Sequence, residues 1–385
     1  MTVVVNRKAV RRVQDGHPWI YRSDVLSSSA GPGDLVRVDT ERGRPIGWAL
    51  WSTTSQISLR MVASDGVPNE ARFWRDRLAA AIDYRRTLPT SSTAMRLVHG
   101  EADRLPALIV DRYGEYLVIQ TLCQGMDRRL DTLVASLVEL EQPRGILARN
   151  DPKVRRLEGL PEEIRVVFGD VPDSIEVTEG AIRLNVDLHR GQKTGLFLDQ
   201  RENHEAASRY ARGRALDAFT YQGGFALQMA SRCESVLALD SSGTAVAATS
   251  ETARRNGITN IETREGNAFD ELRELEIADA RFETIVLDPP AFARNKAAVE
   301  RAIAGYKEIN LRALKLLQPG GHLITCSCSY NVDEALFEAV IAQAAADARA
   351  SVVVVEKRMQ ARDHPVLLGV PETHYLKCFV LRKLG

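Results

Sequence analysis

Over the first 68 residues apolar and polar positions alternate, most clearly in LVRVDT and ISLRMV, with turn signals at GPGD and RGRP. Period-two alternation bounded by glycine and proline predicts strands, so this stretch reads as a small β-rich unit. After the turn-rich SDGVPNE the period lengthens. FWRDRLAAAIDYRRTL carries Phe73, Leu78, Ile82 and Leu88 at helical spacing. LPALIVDRYGEYLVIQTL then predicts a hairpin turning at Tyr113-Gly114, followed by a helix over Met126 to Glu139 and short strands in GILARN and RVVFGD. Residues 69–174 thus form a mixed α/β region. SIEVTEGAIRLNVDL predicts a second hairpin, with Glu179-Gly180 at its turn.

From residue 214 strand and helix patterns alternate. RALDAF, SVLALD, NIETREGN, FETIVLD and HLITCS read as strands. Between and after them FALQMASRC, SGTAVAATSETARRNG, DELREL, VERAIAGYKEINLRALKLL and DEALFEAVIAQAAADA read as helices, and VVVVEK and YLKCFVLRK close the chain as strands. This alternation predicts a doubly wound, mostly parallel α/β sheet. The expected division is therefore 1–68, 69–174 and 175–385, the last including a hairpin and junction loop over 175–205.

Composition narrows the class. The chain has 385 residues, 44% hydrophobic and 26% charged, as in ordinary globular proteins. No apolar run reaches the roughly 20 residues that span a membrane, and the N-terminus lacks a signal-peptide pattern, so a cytoplasmic protein is expected. Five cysteines make no disulfide framework. Net charge is zero, which leaves room only for a local basic patch. Such a patch is offered by Arg7, Lys8, Arg11 and Arg12, followed by Trp19, Tyr21 and Arg22. Aromatic and cationic side chains together suit stacking and phosphate pairing with nucleic acid. A core tryptophan and a solvated arginine face fit the same residues. His99, Glu101 and Asp103 match no familiar metal spacing, and no metal site is expected.

The candidate chemistry lies between Phe282 and Tyr330. IVLD ends in Asp288-Pro289-Pro290, and HLIT ends in Cys326-Ser327-Cys328. A helix fits between the two strands as a parallel crossover, so both carboxyl ends face one crevice. Two prolines stiffen the loop after Asp288, and either cysteine could be a nucleophile or a small buried hydrophobe. Arg294 and Lys296 downstream suit phosphate or solvent. In the first strand–turn–helix, LDAFTYQGGFAL, Gly223 and Gly224 let backbone approach a ligand, although GxGxxG is absent. Asp240 ends the next strand, where an acid suits a ribose diol. Together these favour an adenosine-type ligand. HRGQKTGLFLDQRENH, dense in donors that include Lys193, Gln200 and Arg201, is either a linker or a ligand-touching junction.

HRGQKTGLFLDQR, DAFTYQGGFAL, ALD, LDPPAFARNK, GYKEIN, TCSCSY, DHPV and YLKCF, in this order, resemble the RlmI-type S-adenosylmethionine-dependent cytosine-5 methyltransferases of 23S ribosomal RNA, and the resemblance covers nearly the whole chain. GHPWIYRSDV and GDLVRV are similar to that family's RNA-binding PUA domain. The resemblance implies a Rossmann-like methyltransferase domain, S-adenosylmethionine as cofactor and 23S ribosomal RNA as partner, and it leaves room for a homodimer. It makes Cys328, the last cysteine of the SCS motif, the nucleophile, with Cys326 as packing. It gives Asp288 to the cytosine edge and Asp240 to the cofactor ribose. The turn from Phe219 through Tyr221 to Gly223 and Gly224 would lie along the cofactor, and Asn267, where many members carry an acid, near its adenine. Gln200, Lys193, Arg201 and Lys296 become cofactor or RNA contacts. Pro290 stands where a wider group of RNA cytosine-5 methyltransferases has a product-release cysteine. Methylation of another RNA base or position, and an RNA-binding scaffold that has lost catalysis, are the alternatives.

Overall fold

In the computed structural model of the chain, residues 1–67, 69–293 and 296–385 are described, Lys296 in its backbone only. The described chain divides into two compact units. One comprises Met1–Val177, Asn185–Leu198 and Arg362–Thr373; the other comprises Thr178–Leu184, Asp199–Ala361 and His374–Gly385.

The first unit holds two sheets. Strands β1 (Thr2–Val5), β2 (Trp19–Tyr21), β3 (Val25–Ser28), β4 (Leu35–Thr40), β5 (Pro45–Trp51) and β6 (Ile57–Ala63) pair in the order β2-β6-β5-β4-β1-β3. Their inward valines and leucines bury a small core around Val3, Ile20, Val38 and Leu59. The basic run that the sequence offered as a patch is a helix, α1 (Arg7–Gln14), started by Asn6, whose Oδ1 accepts Ala9 N at 3.0 Å. Its charge density had masked that single turn of apolar spacing.

Helix α2 (Glu70–Arg86) packs with a second sheet of order β11-β10-β9-β8-β7. Its strands are β7 (Ala94–His99), β8 (Leu108–Tyr113), β9 (Tyr116–Thr121), β10 (Gly145–Asn150) and β11 (Glu163–Gly169). The crossover between parallel β9 and β10 is two helices, α3 (Gln124–Asp127) and α4 (Leu130–Glu141), where one was predicted over Met126 to Glu139. Buried Arg129 accounts for the break. It donates to the carbonyls of Gly33 and Gly125, each at 2.7 Å, and pairs with Glu70.

Segment 362–373 completes this unit. Arg85, 1% exposed, donates to Asp363 O at 2.7 Å, and Asp363 Oδ2 accepts Arg96 N at 2.9 Å. The His364 ring lies 5.0 Å from that of His99. Residues 188–196 are fixed in the same unit. Thr194 Oγ1 donates to Asp111 at 2.6 Å and meets Tyr113 OH at 2.9 Å, while Arg149 donates to the carbonyls of Leu188 and Gly191.

Strands β12 (Ser174–Glu179) and β13 (Ile182–Asp187) pair as the predicted hairpin. The second unit is then α5 (Arg201–Tyr210), β14 (Arg214–Ala218), α6 (Gly224–Met229), β15 (Ser235–Asp240), α7 (Gly243–Arg255), β16 (Ile261–Glu265), α8 (Ala268–Ile277), β17 (Phe282–Leu287), α9 (Val299–Leu316), β18 (Leu317–Ser327), α10 (Glu334–Asp347), β19 (Val352–Arg358) and β20 (Lys377–Lys383). The strands lie in the order β16-β15-β14-β17-β18-β20-β19, parallel except for β20, which runs antiparallel to both its neighbours. Alternate residues feed two cores. Leu216, Leu237, Leu239, Ile285 and Leu287 meet α8, α9 and α10, whereas Ala215, Val236, Ala238 and Val286 meet α5 and α6. Both faces are therefore covered, which is why these strands read as nearly continuous apolar runs.

Candidate active site at the carboxyl ends of the parallel strands

Strand order reverses at β14, which lies between β15 and β17. Open α/β sheets bind ligands at such a reversal, beyond the carboxyl ends of the strands. After β14 the chain turns through Phe219 (φ 67°), Tyr221 (φ 49°) and Gly223 (φ 80°). Left-handed backbone at two non-glycine residues is costly and persists only where neighbours enforce it. Two carboxylates do so here. Asp217 Oδ2 accepts Thr220 Oγ1 at 2.6 Å and Ala226 N at 2.9 Å. Asp240 Oδ2 accepts Tyr221 N and its Oδ1 accepts Ser242 N, both at 2.9 Å.

The two glycines have distinct jobs. A Cβ on Gly223 would stand 2.6 Å from Thr249 Cγ2, in addition to the positive φ. One on Gly224 would stand 2.5 Å from His204 Cε1. His204 is buried, bonds Glu179 Oε1 through Nδ1 at 2.7 Å and meets the Phe225 ring edge-on at 4.5 Å. Burial draws its pKa down, but the Glu179 carboxylate outweighs burial and the net shift is upward. Burial pushes the Asp217 carboxyl up to about 7, against its hydrogen bonds from Thr220 and Ala226.

These groups fit S-adenosylmethionine. Asp217 Oδ1 is a buried acceptor with no partner beneath the turn. Half-buried Phe219, Phe269 and Phe292, with ring centroids 5.9–6.5 Å apart, form an apolar cluster beyond β14. Asn267 caps α8 next to it, its Oδ1 accepting Phe269 N at 2.9 Å, and is exposed. Asp240 stands at the end of β15, where a ribose diol would be met.

Asp288 follows β17 and is half-buried. Its Oδ1 accepts Gln200 Nε2 at 2.8 Å, and Gln200 Oε1 accepts Asn203 Nδ2 at 2.7 Å. Arg358 Nε donates in turn to Asn203 Oδ1 at 2.9 Å. Cys328 is half-buried just beyond β18, its Sγ donating to Pro289 O at 3.8 Å. The thiol therefore lies against the loop that carries Asp288. On either side, Ser327 and Ser329 are fully buried and both bond Tyr306 OH on α9, at 3.0 and 2.9 Å. Cys326 is fully buried opposite Cys378 in the β18–β20 ladder, and burial first, then Cys378, lifts its thiol pKa well above the ordinary range. Lys377 on β20, also buried, donates to Ser329 O at 2.8 Å and Tyr375 O at 3.0 Å.

Of the residues expected to act together, Asp288, Gln200 and Cys328 are gathered around one loop. Phe219, Tyr221, Gly223, Gly224 and Asp240 share one turn. The RNA candidates are spread wider. Arg7, Lys8 and Arg11 are exposed on α1, whereas Arg12 bonds Asp24 at 2.8 Å and covers the Tyr21 ring. Trp19 is half-buried and donates to Glu101 at 2.9 Å. Lys193 is exposed with Nζ 4.1 Å from the Phe197 ring centroid, and Arg201 is buried at the start of α5. Arg294 and the Lys296 side chain lie outside the described residues. Asp217, His204, Tyr306 and Lys377 were not singled out from sequence. Asp217 had a visible signal, an acid at the end of the first strand before a glycine turn. Among the described residues no His, Cys, Asp and Glu group is arranged to hold a metal, and no helix is long and apolar enough to cross a membrane.

Comparison with known proteins places this geometry. Residues 3–64 match a PUA-like domain, and residues 160–382 match a family described as S-adenosylmethionine-dependent methyltransferase. The ribosomal RNA large subunit methyltransferase I of Erwinia tasmaniensis is 36% identical over 376 residues, 95% of each chain. That of Aeromonas hydrophila is 37% identical over 377 residues, again 95% of each. Among solved structures, a methyltransferase complexed with SAH superposes with TM-score 0.86 at 19% identity, covering 99% of this chain and 100% of its own. A SAM-dependent methyltransferase from Streptococcus mutans gives 0.84 at 18%, with the same coverage. Those two likenesses establish the fold. The chain carries an N-terminal PUA-like domain and an S-adenosylmethionine-dependent methyltransferase domain, and it belongs to the ribosomal RNA large subunit methyltransferase I family.

Proposed function

We propose that this protein methylates C5 of a cytosine in 23S ribosomal RNA, with Cys328 as nucleophile. The observation that carries the reading is the Cys328 thiol resting against Pro289 O beside Asp288. An acid and a half-buried thiol at one loop suit a pyrimidine held between them, and the relatives' names support large-subunit ribosomal RNA as the substrate.

C5 of cytosine is a poor nucleophile. Attack of the Cys328 thiolate on C6 forms a sulfur–carbon bond and moves the C5–C6 π electrons onto C5 and the ring. Asp288, oriented by Gln200, bonds the pyrimidine edge and favours that shift. S-adenosylmethionine supplies an electrophilic methyl group. Once C5 has taken the methyl group, with the electrons of the broken methyl–sulfur bond left on the cofactor's sulfur, a base takes the C5 proton, the C5–C6 double bond returns and the thiolate is expelled. Asp240, the turn from Phe219 through Tyr221 to Gly223 and Gly224, and Asn267 would position the cofactor, with Asp288 and Gln200 at its methyl end. Residues 1–68 and 69–174 would grip RNA, and 175–385 would do the chemistry. Arg7, Lys8, Arg11, Arg12, Trp19, Lys193, Arg201 and Lys296 are the proposed RNA contacts. A base inside folded RNA must be unstacked to reach the thiol. A ribosomal RNA substrate and five free thiols suit a cytoplasmic setting.

Mapping of 5-methylcytosine in 23S ribosomal RNA from cells with and without the protein tests this. One site should vanish and return with the wild-type gene but not with Cys328→Ala. An unchanged map overturns the substrate, and full restoration by Cys328→Ala overturns the covalent mechanism.

A further inference from the structure

Lys377 is 2% exposed, and its ammonium bonds two neutral carbonyls, Ser329 O at 2.8 Å and Tyr375 O at 3.0 Å. No ion pair involves it among the described residues. A buried ammonium whose hydrogen-bond partners are neutral carbonyls is expensive, and in a cleft such a group is a candidate for a functional role. Its placement is specific. Lys377 stands opposite Ser327 in the antiparallel β18–β20 ladder, and it reaches across to the carbonyl of Ser329, so it brackets Cys328 from both sides in sequence.

We propose that Lys377 is a positioning residue for the nucleophile: its ammonium fixes the Ser327–Ser329 backbone and holds the Cys328 thiol toward its thiolate. This rests on the reading of Cys328 as nucleophile. A lysine that served as the proton-abstracting base would have to face the substrate, whereas Lys377 is enclosed and points at carbonyls.

Among the described residues the other ionisable groups nearby are few. Asp288 lies beside the loop that the thiol touches, Tyr306 faces it from α9, and Asp333 and Glu334, at the start of α10, act on Lys377 together with Cys328. Burial draws the Lys377 pKa down to about 8, so the ammonium is present at and below neutral pH, where a thiol most needs assistance. As pH rises through that value the ammonium discharges, but there the thiol ionises without help.

The test is the pH dependence of iodoacetamide alkylation of the full-length native protein, read at the Cys328 peptide by mass spectrometry. In wild type the Cys328 titration should fall below the ordinary value of roughly 8.5. Lys377→Met should raise it by about one unit and slow alkylation at pH 7 about tenfold, while Lys377→Arg should keep most of the effect. A wild-type titration at or above the ordinary thiol value overturns the proposal without needing any variant. Identical profiles for wild type and Lys377→Met overturn it as well. Because alkylation does not depend on turnover, methylation by Cys328→Ala would sink the nucleophile reading while leaving the thiol–ammonium pairing standing.

Discussion

Gln200 donates from Nε2 to Asp288 Oδ1 at 2.8 Å, and it is itself held by Asn203. The run Arg358, Asn203, Gln200, Asp288 is a chain of hydrogen bonds in a buried setting, where each bond strengthens the next and a missing member is costly. Gln200→Ala removes the group that orients Asp288. The expected result is a loss of about ten- to a hundredfold in kcat, the scale set by a misplaced catalytic group, with KM for S-adenosylmethionine changed much less. Steady-state kinetics on ribosomal RNA measures both. A larger rise in KM than fall in kcat would make contact with the cofactor, rather than orientation of Asp288, the main role of Gln200.

The two cysteines of the C-x-C differ in environment. Cys328 is half-buried against Pro289, whereas Cys326 is sealed opposite Cys378, its thiol pushed well up by burial. Cys326→Ala should cost stability only, about 1 kcal/mol for a small buried side chain, and should retain most turnover. Cys328→Ala should lower turnover at least a thousandfold with little change in melting temperature.

Gly224 is a steric requirement. A methyl group there meets His204 Cε1 at 2.5 Å, and His204 is fixed by Glu179 and Phe225. Gly224→Ala should therefore destabilise by about 1–3 kcal/mol, as overpacking does. His204→Ala in the same chain should recover part of the loss, measurable by urea denaturation.

Asp217 and His204 give the fold a pH dependence of unusual sign. The Asp217 carboxyl is pushed up to about 7, so the folded state holds its proton where the unfolded chain has lost it. Stability from this group falls as pH rises from about 4 through 7. His204, raised by Glu179, acts in the same direction: its contribution is full below the unfolded histidine value and fades as pH climbs past the folded one. The urea midpoint should be lower at pH 8 than at pH 5.5, and Asp217→Asn should remove much of the difference. An equal drop in that variant would leave the effect to His204 alone.

The alternation of strands and helices after residue 214 was legible because both faces of that sheet are buried, so its strands are apolar runs cut by turns. The strand-end positions of Asp288, Asp240 and the C-x-C were legible because strand ends concentrate chemistry, whereas the choice of Cys328 over Cys326 came only from the family resemblance. Lys377 and Tyr306 were not legible. Each is one polar residue within an apolar element, and only the register of β20 against β18, or the meeting of α9 with the two serines, gives it a role. Helix α1 was hidden by its charge, and the break between α3 and α4 by the tertiary bonds of Arg129.

The segment 362–373 lies near the end of the chain but belongs to the unit that begins at Met1. During synthesis, that first unit cannot be completed as soon as its own amino-terminal stretch has emerged, the usual order for consecutive domains. It must wait, with the site on Arg85, Arg96 and His99 unfilled, until the ribosome has translated the whole αβ sequence between. By the same connectivity no single cut releases either unit, because the chain passes from one to the other at residues 177, 184, 198, 361 and 373.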